Sequence, residues 1–162
     1  MMWTNSKLFS LEEATKIRNQ PRSRAIVLTN GCFDLLHAGH VFSLQQAAKF
    51  GELWIALNGD ESIRQLKGPS RPIVGERERA YMLAALECVS GVFIFTNQRL
   101  IRELEIFYPD IYVKSMDYNF ETLDAEERLV LQKIGADVKF VQTLPHCSTT
   151  ALVEKIQNMS LK

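Results

Sequence analysis

The sequence predicts a doubly wound α/β domain built on a parallel sheet. Strand-like apolar runs alternate along the chain with stretches of helical periodicity. The runs are continuous rather than alternating, as in Leu53-Trp-Ile-Ala-Leu57, which suits strands covered on both faces. A length of 162 residues is that of one domain with a self-sufficient core.

Taken in order, Ser10-Leu-Glu-Glu13 reads as a capping box that opens a helix. Residues 1–21 are therefore expected to form a helical extension on a single domain spanning 1–162. The first strand is Ala25–Asn30, followed by a helix near 40–50 in which Val41, Leu44, Ala47 and Ala48 recur at helical spacing. Further strands are expected at Leu53–Asn58, Val92–Thr96, Ile111–Ser115 and Val138–Thr143, with helices near 77–89, 98–107, 121–134 and 149–158. Between the second strand and the next helix, Leu66-Lys-Gly-Pro-Ser-Arg-Pro72 reads as a loop because of its glycine and two prolines.

Composition narrows the function classes. Lysine plus arginine equals aspartate plus glutamate at 19 each, so no basic excess points to nucleic acid. No apolar run approaches the length of a membrane span, and the start has no signal-peptide core. Cys32, Cys88 and Cys147 are odd in number and scattered, which fits reduced thiols and a cytoplasmic location. The dinucleotide fingerprint GxGxxG and the Walker A pattern are both missing from the sequence.

The chemistry concentrates in Thr29-Asn-Gly-Cys-Phe-Asp-Leu-Leu-His-Ala-Gly-His40, where a strand ends and a helix begins. Backbone N–H groups at a helix start have no intrahelical partner and collect anions. His37 and His40, three apart, share one face of that first turn. Gly39 between them leaves a ligand unobstructed, and Gly31 permits a tight exit from the strand. Two imidazoles at such a tip can hold a phosphate and stabilise charge developing on it. A zinc site from Cys32, His37 and His40 has no nearby fourth ligand in the sequence. A second phosphate-binding candidate is Ser148-Thr-Thr150, three hydroxyls ahead of a helix; plain N-capping needs only one of them.

The string Asn30–His40 resembles the HxGH signature of the nucleotidyltransferase superfamily, and in its longer form the heptose 1-phosphate adenylyltransferases. It is also similar to the glycerol-3-phosphate cytidylyltransferases. This resemblance implies a Rossmann-like five-stranded sheet of order 3-2-1-4-5, with helices on both faces. It implies transfer of a nucleotidyl group from ATP, with Mg²⁺, to a sugar phosphate, with a homodimer as the expected assembly. By the same resemblance Asn30, Gly31, Cys32, Phe33, His37, His40, Arg79, Asp117, Ser148, Thr149 and Thr150 contact the nucleotide. Lys67 joins the two histidines in catalysis, and Asp34, Lys67, Arg71 and Lys114 face the acceptor. The chain departs from the family at Ser115 and Met116, where two glycines are usual, and in lacking an arginine shortly before Ser148. Transfer from CTP to glycerol phosphate, transfer from ATP to FMN, and a nucleotide-binding module without activity are the rival readings.

Overall fold

The computed structural model describes residues 5–116, 119–145 and 147–159. Strands β1 (Leu8–Phe9), β2 (Ile26–Gly31), β3 (Glu52–Asn58), β4 (Gly91–Phe95), β5 (Ile111–Ser115) and β6 (Asp137–Val141) form one sheet of order β1-β4-β3-β2-β5-β6. Every neighbouring pair runs parallel. The expected five-stranded sheet is thus corrected to six strands. The five anticipated strands keep their neighbours, and the short β1 adds itself along β4. Two residues are too few to give a strand period, so only the pairing of Leu8 with Val92 and Phe9 with Phe93 reveals it. Residues 1–21 are likewise not merely a helical extension: they supply a sheet edge as well as helix α1 (Leu11–Arg18). The expected capping box is present, with Glu13 N–H donating to Ser10 Oγ at 3.2 Å and Ser10 N–H donating to Glu13 Oε2 at 2.8 Å.

The remaining helices are α2 (Ala38–Ala47), α3 (Asp60–Lys67), α4 (Glu76–Ala84), α5 (Ile101–Phe107), α6 (Ala125–Ile134) and α7 (Thr149–Met159). Helix α3 is absent from the sequence reading. Its composition, Asp-Glu-Ser-Ile-Arg-Gln-Leu-Lys, buries only Ser62 and Ile63, too little for an apolar period. Lys67 therefore ends a helix instead of opening a loop.

Successive strand residues point to opposite faces, and two buried cores result. On one face Ile26, Leu28, Trp54, Phe93 and Tyr112 pack with Ala14 of α1, Leu104 and Phe107 of α5 and Leu131 of α6. On the other, Val27, Leu53, Ile55, Leu57, Val92 and Val113 pack with Leu44 and Ala47 of α2 and Ala80 and Leu83 of α4. The chain leaves β2 toward β3 on one side and toward β5 on the other. The crevice beyond the carboxyl ends of β2 and β5 is where such sheets bind ligands.

Candidate active site at the carboxyl ends of strands β2 and β5

Strand β2 delivers the chain to this crevice, and Phe33 turns it. Phe33 adopts φ 45°, a left-handed conformation that side chains rarely take. Its ring fills the space over Gly31, where an added Cβ would meet Phe33 Cε2 at 2.9 Å. The same ring stands edge-on to His40, centroids 5.1 Å apart.

His37 is the N-cap of α2, and its Nδ1 accepts a hydrogen bond from His40 N–H at 3.4 Å. An Nδ1 that accepts leaves the proton of the neutral ring on Nε2, so His37 offers an N–H donor from that atom. Burial lowers His37 from the ordinary histidine value. Burial pushes His40 further, to about 4, helped by the facing His37 and by the Lys67 ammonium and opposed by the Leu35 backbone. At neutral pH both rings are uncharged donors. His40 Nδ1 is buried and has no hydrogen-bond partner among the described residues.

Lys67, exposed at the end of α3, reaches the same place electrostatically: its charge acts on both His40 and Cys32. Burial raises the Cys32 thiol against the pull of Lys67, Arg79 and Lys114. Cys32 is accordingly held as a protonated thiol. On β5, Lys114 Nζ donates to Asn30 Oδ1 at 2.7 Å and lies 3.8 Å from Glu127 Oε2. Burial lowers Lys114 from the usual lysine range, and Glu127 opposes that shift.

The start of helix α7 (Thr149–Met159) lies beside the start of α2. A Cβ placed on Gly39 would lie 2.8 Å from Cys147 Cβ, so Cys147 sits directly against the first turn of α2. Ser148 Oγ accepts from Ala151 N–H at 3.1 Å, which is the expected cap. Accepting leaves its O–H proton to donate. Thr149 and Thr150 occupy the first turn of α7, so the starts of α2 and α7 converge across Gly39.

Three of the expected site residues are engaged by the protein itself. Arg79 is fully buried: its Nε donates to Val74 O at 2.8 Å, Nη1 to Cys32 O at 2.6 Å and Asn58 O at 2.8 Å, and Nη2 to Asp60 Oδ1 at 2.7 Å. A guanidinium with four donors so committed clamps the signature loop to the ends of β3 and the 71–75 segment, and has no surface for a phosphate. Asp34 and Arg71 satisfy each other at 2.7 Å, and Asp34 Oδ1 also accepts from the Ile73 and Val74 amides at 2.7 and 3.1 Å. Burial acts to raise the Asp34 carboxyl, but Arg71 and the two amides outweigh it and hold it below the usual carboxylate range. These two residues anchor the loop after α3 to the signature; Asp34 is buried, while Arg71 commits Nη1 to it and keeps a partly exposed side chain. Asp117 lies outside the described residues. Sequence reasoning did not single out Tyr112, Glu127, Asn58 or Asp60; the spacing of Tyr112 and Lys114, two apart on β5, is the one local sign that they share a face.

The cytidylyltransferase-like family profile matches residues 28–155, which take in the histidine pair, Lys67 and the Ser148–Thr150 helix start. The chain belongs to the cytidylyltransferase-like family. That membership agrees with the nucleotidyl-transfer class implied by the histidine signature. Among relatives, this cytidylyltransferase-like chain is similar to the bifunctional protein HldE of Geotalea uraniireducens (strain Rf4), 42% identical over 98% of this chain and 33% of the relative. It is 47% identical to the bifunctional protein HldE of Koribacter versatilis (strain Ellin345), over 94% of this chain and 30% of the relative. The chain spans about a third of the length of the curated relatives it matches. A lipopolysaccharide core biosynthesis protein from Thermoplasma volcanium GSS1 superposes with a TM-score of 0.62 at 27% identity, covering 77% of this chain and 100% of that one. Pantoate-beta-alanine ligase from Francisella tularensis, with a TM-score of 0.59 at 11% identity over 96% of this chain and 79% of its own, shares the fold. Among the described residues no helix is long and apolar enough to cross a membrane.

Proposed function

We propose that this chain transfers the adenylyl group of ATP to a heptose 1-phosphate, giving ADP-heptose and pyrophosphate. A phosphate oxygen of the sugar attacks the α-phosphorus in line; the bond from that phosphorus to the β-bridging oxygen breaks, and pyrophosphate departs. The observation that carries the reading is the stacked pair of neutral imidazoles at the start of α2, with rings 3.7 Å apart, facing the start of α7. His37 Nε2–H and the His40 ring offer hydrogen bonds to the phosphates, and the amides and hydroxyls at the two helix starts hold the rest of the triphosphate. Lys67 adds a mobile positive charge where pyrophosphate leaves. Such transfer needs positioning and charge stabilisation rather than a nucleophile, in keeping with a protonated Cys32.

Mg²⁺ belongs to this reading as a companion of the triphosphate, where it would neutralise phosphate charge. Asp34 and Asp60 are engaged by Arg71 and Arg79, which suits an ion coordinated by phosphate and water more than one held in a protein cage. A heptose acceptor and ATP as donor are supported by the HldE relatives and by the resemblance of Asn30–His40. Homodimeric assembly and a cytoplasmic location belong to the same reading, and the three cysteines, all unpaired, support the latter. The test is pyrophosphate release with ATP or CTP against heptose 1-phosphate, glycerol 3-phosphate and FMN. Turnover of ATP with heptose 1-phosphate at the highest kcat/KM is expected; a higher kcat/KM for CTP with glycerol 3-phosphate, or ATP with FMN, overturns the assignment.

A further inference from the structure

A buried polar chain runs from α6 through β5 to the end of β2, outside the histidine pair. Asn30 Oδ1 accepts two hydrogen bonds, from Tyr112 O–H at 2.8 Å and from Lys114 Nζ at 2.7 Å. Glu127, 7% exposed, stands behind both donors, its Oε2 3.5 Å from the Tyr112 hydroxyl and 3.8 Å from Lys114 Nζ. Its Oε1 accepts from Leu100 N–H at 3.4 Å, which ties the carboxylate to the start of α5.

Two donors on one oxygen decide which way the Asn30 amide faces, because the NH₂ group cannot accept them. Nδ2 is therefore turned away from Tyr112 and Lys114, and it makes no hydrogen bond among the described residues. Asn30 is half-buried and immediately precedes the signature loop at the mouth of the crevice. An ammonium on the amide oxygen also draws electron density toward it, which makes the N–H bonds stronger donors to an anion.

We propose that Tyr112, Lys114 and Glu127 are positioning residues that hold Asn30 as a donor-only contact for an anionic phosphate oxygen of a bound substrate. The proposal rests on the nucleotidyl-transfer reading of the crevice, and the oxygen belongs either to ATP or to the sugar phosphate. Glu127 keeps Lys114 charged and in place, Lys114 and Tyr112 orient the amide, and Asn30 touches the ligand.

Asn30→Asp tests this without disturbing shape. The new carboxylate pairs with Lys114, so the fold is retained, but the donor is lost and a negative charge faces the phosphate. Lys114→Met keeps a stem of similar volume, removes the ammonium and leaves Tyr112 alone to orient Asn30. Calorimetric binding of α,β-methylene-ATP with Mg²⁺, and separately of heptose 1-phosphate, is measured beside kcat, KM and Tm. The expected result for Asn30→Asp is at least about tenfold weaker binding of one of the two, the loss expected for a hydrogen bond to a charged group, with Tm held. A parallel, smaller rise in KM for the same substrate is expected in Lys114→Met. Which substrate weakens identifies the source of the oxygen. Wild-type binding of both substrates by Asn30→Asp overturns the proposal, as does a change confined to Tm. Lack of transfer to heptose 1-phosphate by the wild-type protein, with Asn30→Asp still impaired in binding the ATP analogue, would instead refute the acceptor assignment and leave the network standing.

Discussion

The imidazoles of His37 and His40 lie stacked, with centroids 3.7 Å apart and planes inclined by 20°. Two protonated rings at that separation would repel each other strongly in a half-buried site. Stacking and neutrality therefore go together, and each ring keeps one N–H to donate. His37→Ala and His40→Ala are each expected to lower kcat by about a hundredfold or more, the cost of one lost electrostatic donor. His37→Ala should in addition cost about 1 kcal/mol of stability, because the cap of α2 goes with it. Single-turnover rates and urea unfolding of the two variants check both statements; wild-type rates in both remove the histidines from the mechanism.

Stability should fall as the medium is acidified. His40 titrates at about 4 in the folded chain against an ordinary value of 6.5, so between those values the unfolded chain binds a proton that the folded chain refuses. Unfolding then gains from each step down in pH across that window, and above 6.5 the effect is gone. Tm followed from pH 7 to pH 4.5 should decline, with a shallower slope in His40→Asn. Equal slopes would show that His40 is not the group responsible.

Arg79 is expected to matter more to folding than to binding. Arg79→Met leaves Asp60 and three backbone carbonyls without their donor, and loss of one partner of a buried ion pair costs about 3–5 kcal/mol. Chemical denaturation measures it. A destabilisation below about 1 kcal/mol, in the range of an exposed pair, would mean that the clamp relaxes without consequence.

Gly39→Ala should separate the two helix starts. The added methyl would meet Cys147 Cβ at 2.8 Å and the His37 ring at 3.0 Å. A shift of about 1 Å at a positioned group can cost a hundredfold in rate, and the expected outcome is a fall in kcat/KM of at least about tenfold. Far-ultraviolet circular dichroism should match the wild type. Full activity would show that α7 does not contribute to the site.

The segment after Lys67 is expected to be only partly mobile before nucleotide binds. Ile73 and Val74 amides, held by Asp34, should exchange slowly with or without ATP analogue. Residues around Gly68, where an added Cβ would meet nothing within 4 Å among the described residues, should be protected only on binding. In Asp34→Asn the two amides should exchange faster; if they do not, the anchor lies elsewhere.

Much of this arrangement is legible in the chain. The five long strands announce themselves as uninterrupted apolar runs because both faces of the sheet are covered. His37 and His40 are legible because strand, turn and helix follow one another within a few residues. Ser148 is legible as a cap for the same local reason. Arg79 is not: its partners stand 5, 19, 21 and 47 residues away, and a charged residue near a helix start looks like any solvated arginine. The pairing of Asp34 with Arg71 is hidden likewise, since the loop's own sequence holds no partner for Arg71 until the signature folds against it. Helix α3 escapes notice because it buries so little.

The two-residue β1 has a bearing on self-association. One border of the sheet is closed by a strand too brief to template another chain, and the opposite border, β6, carries Asp137 and Lys139 joined at 2.6 Å. Short and charged edges disfavour the strand-to-strand addition that leads to aggregates. Copies of this chain that meet in solution should therefore join through their helical flanks, and concentrated protein should resist fibril growth unless the Leu8–Phe9 segment is stripped away.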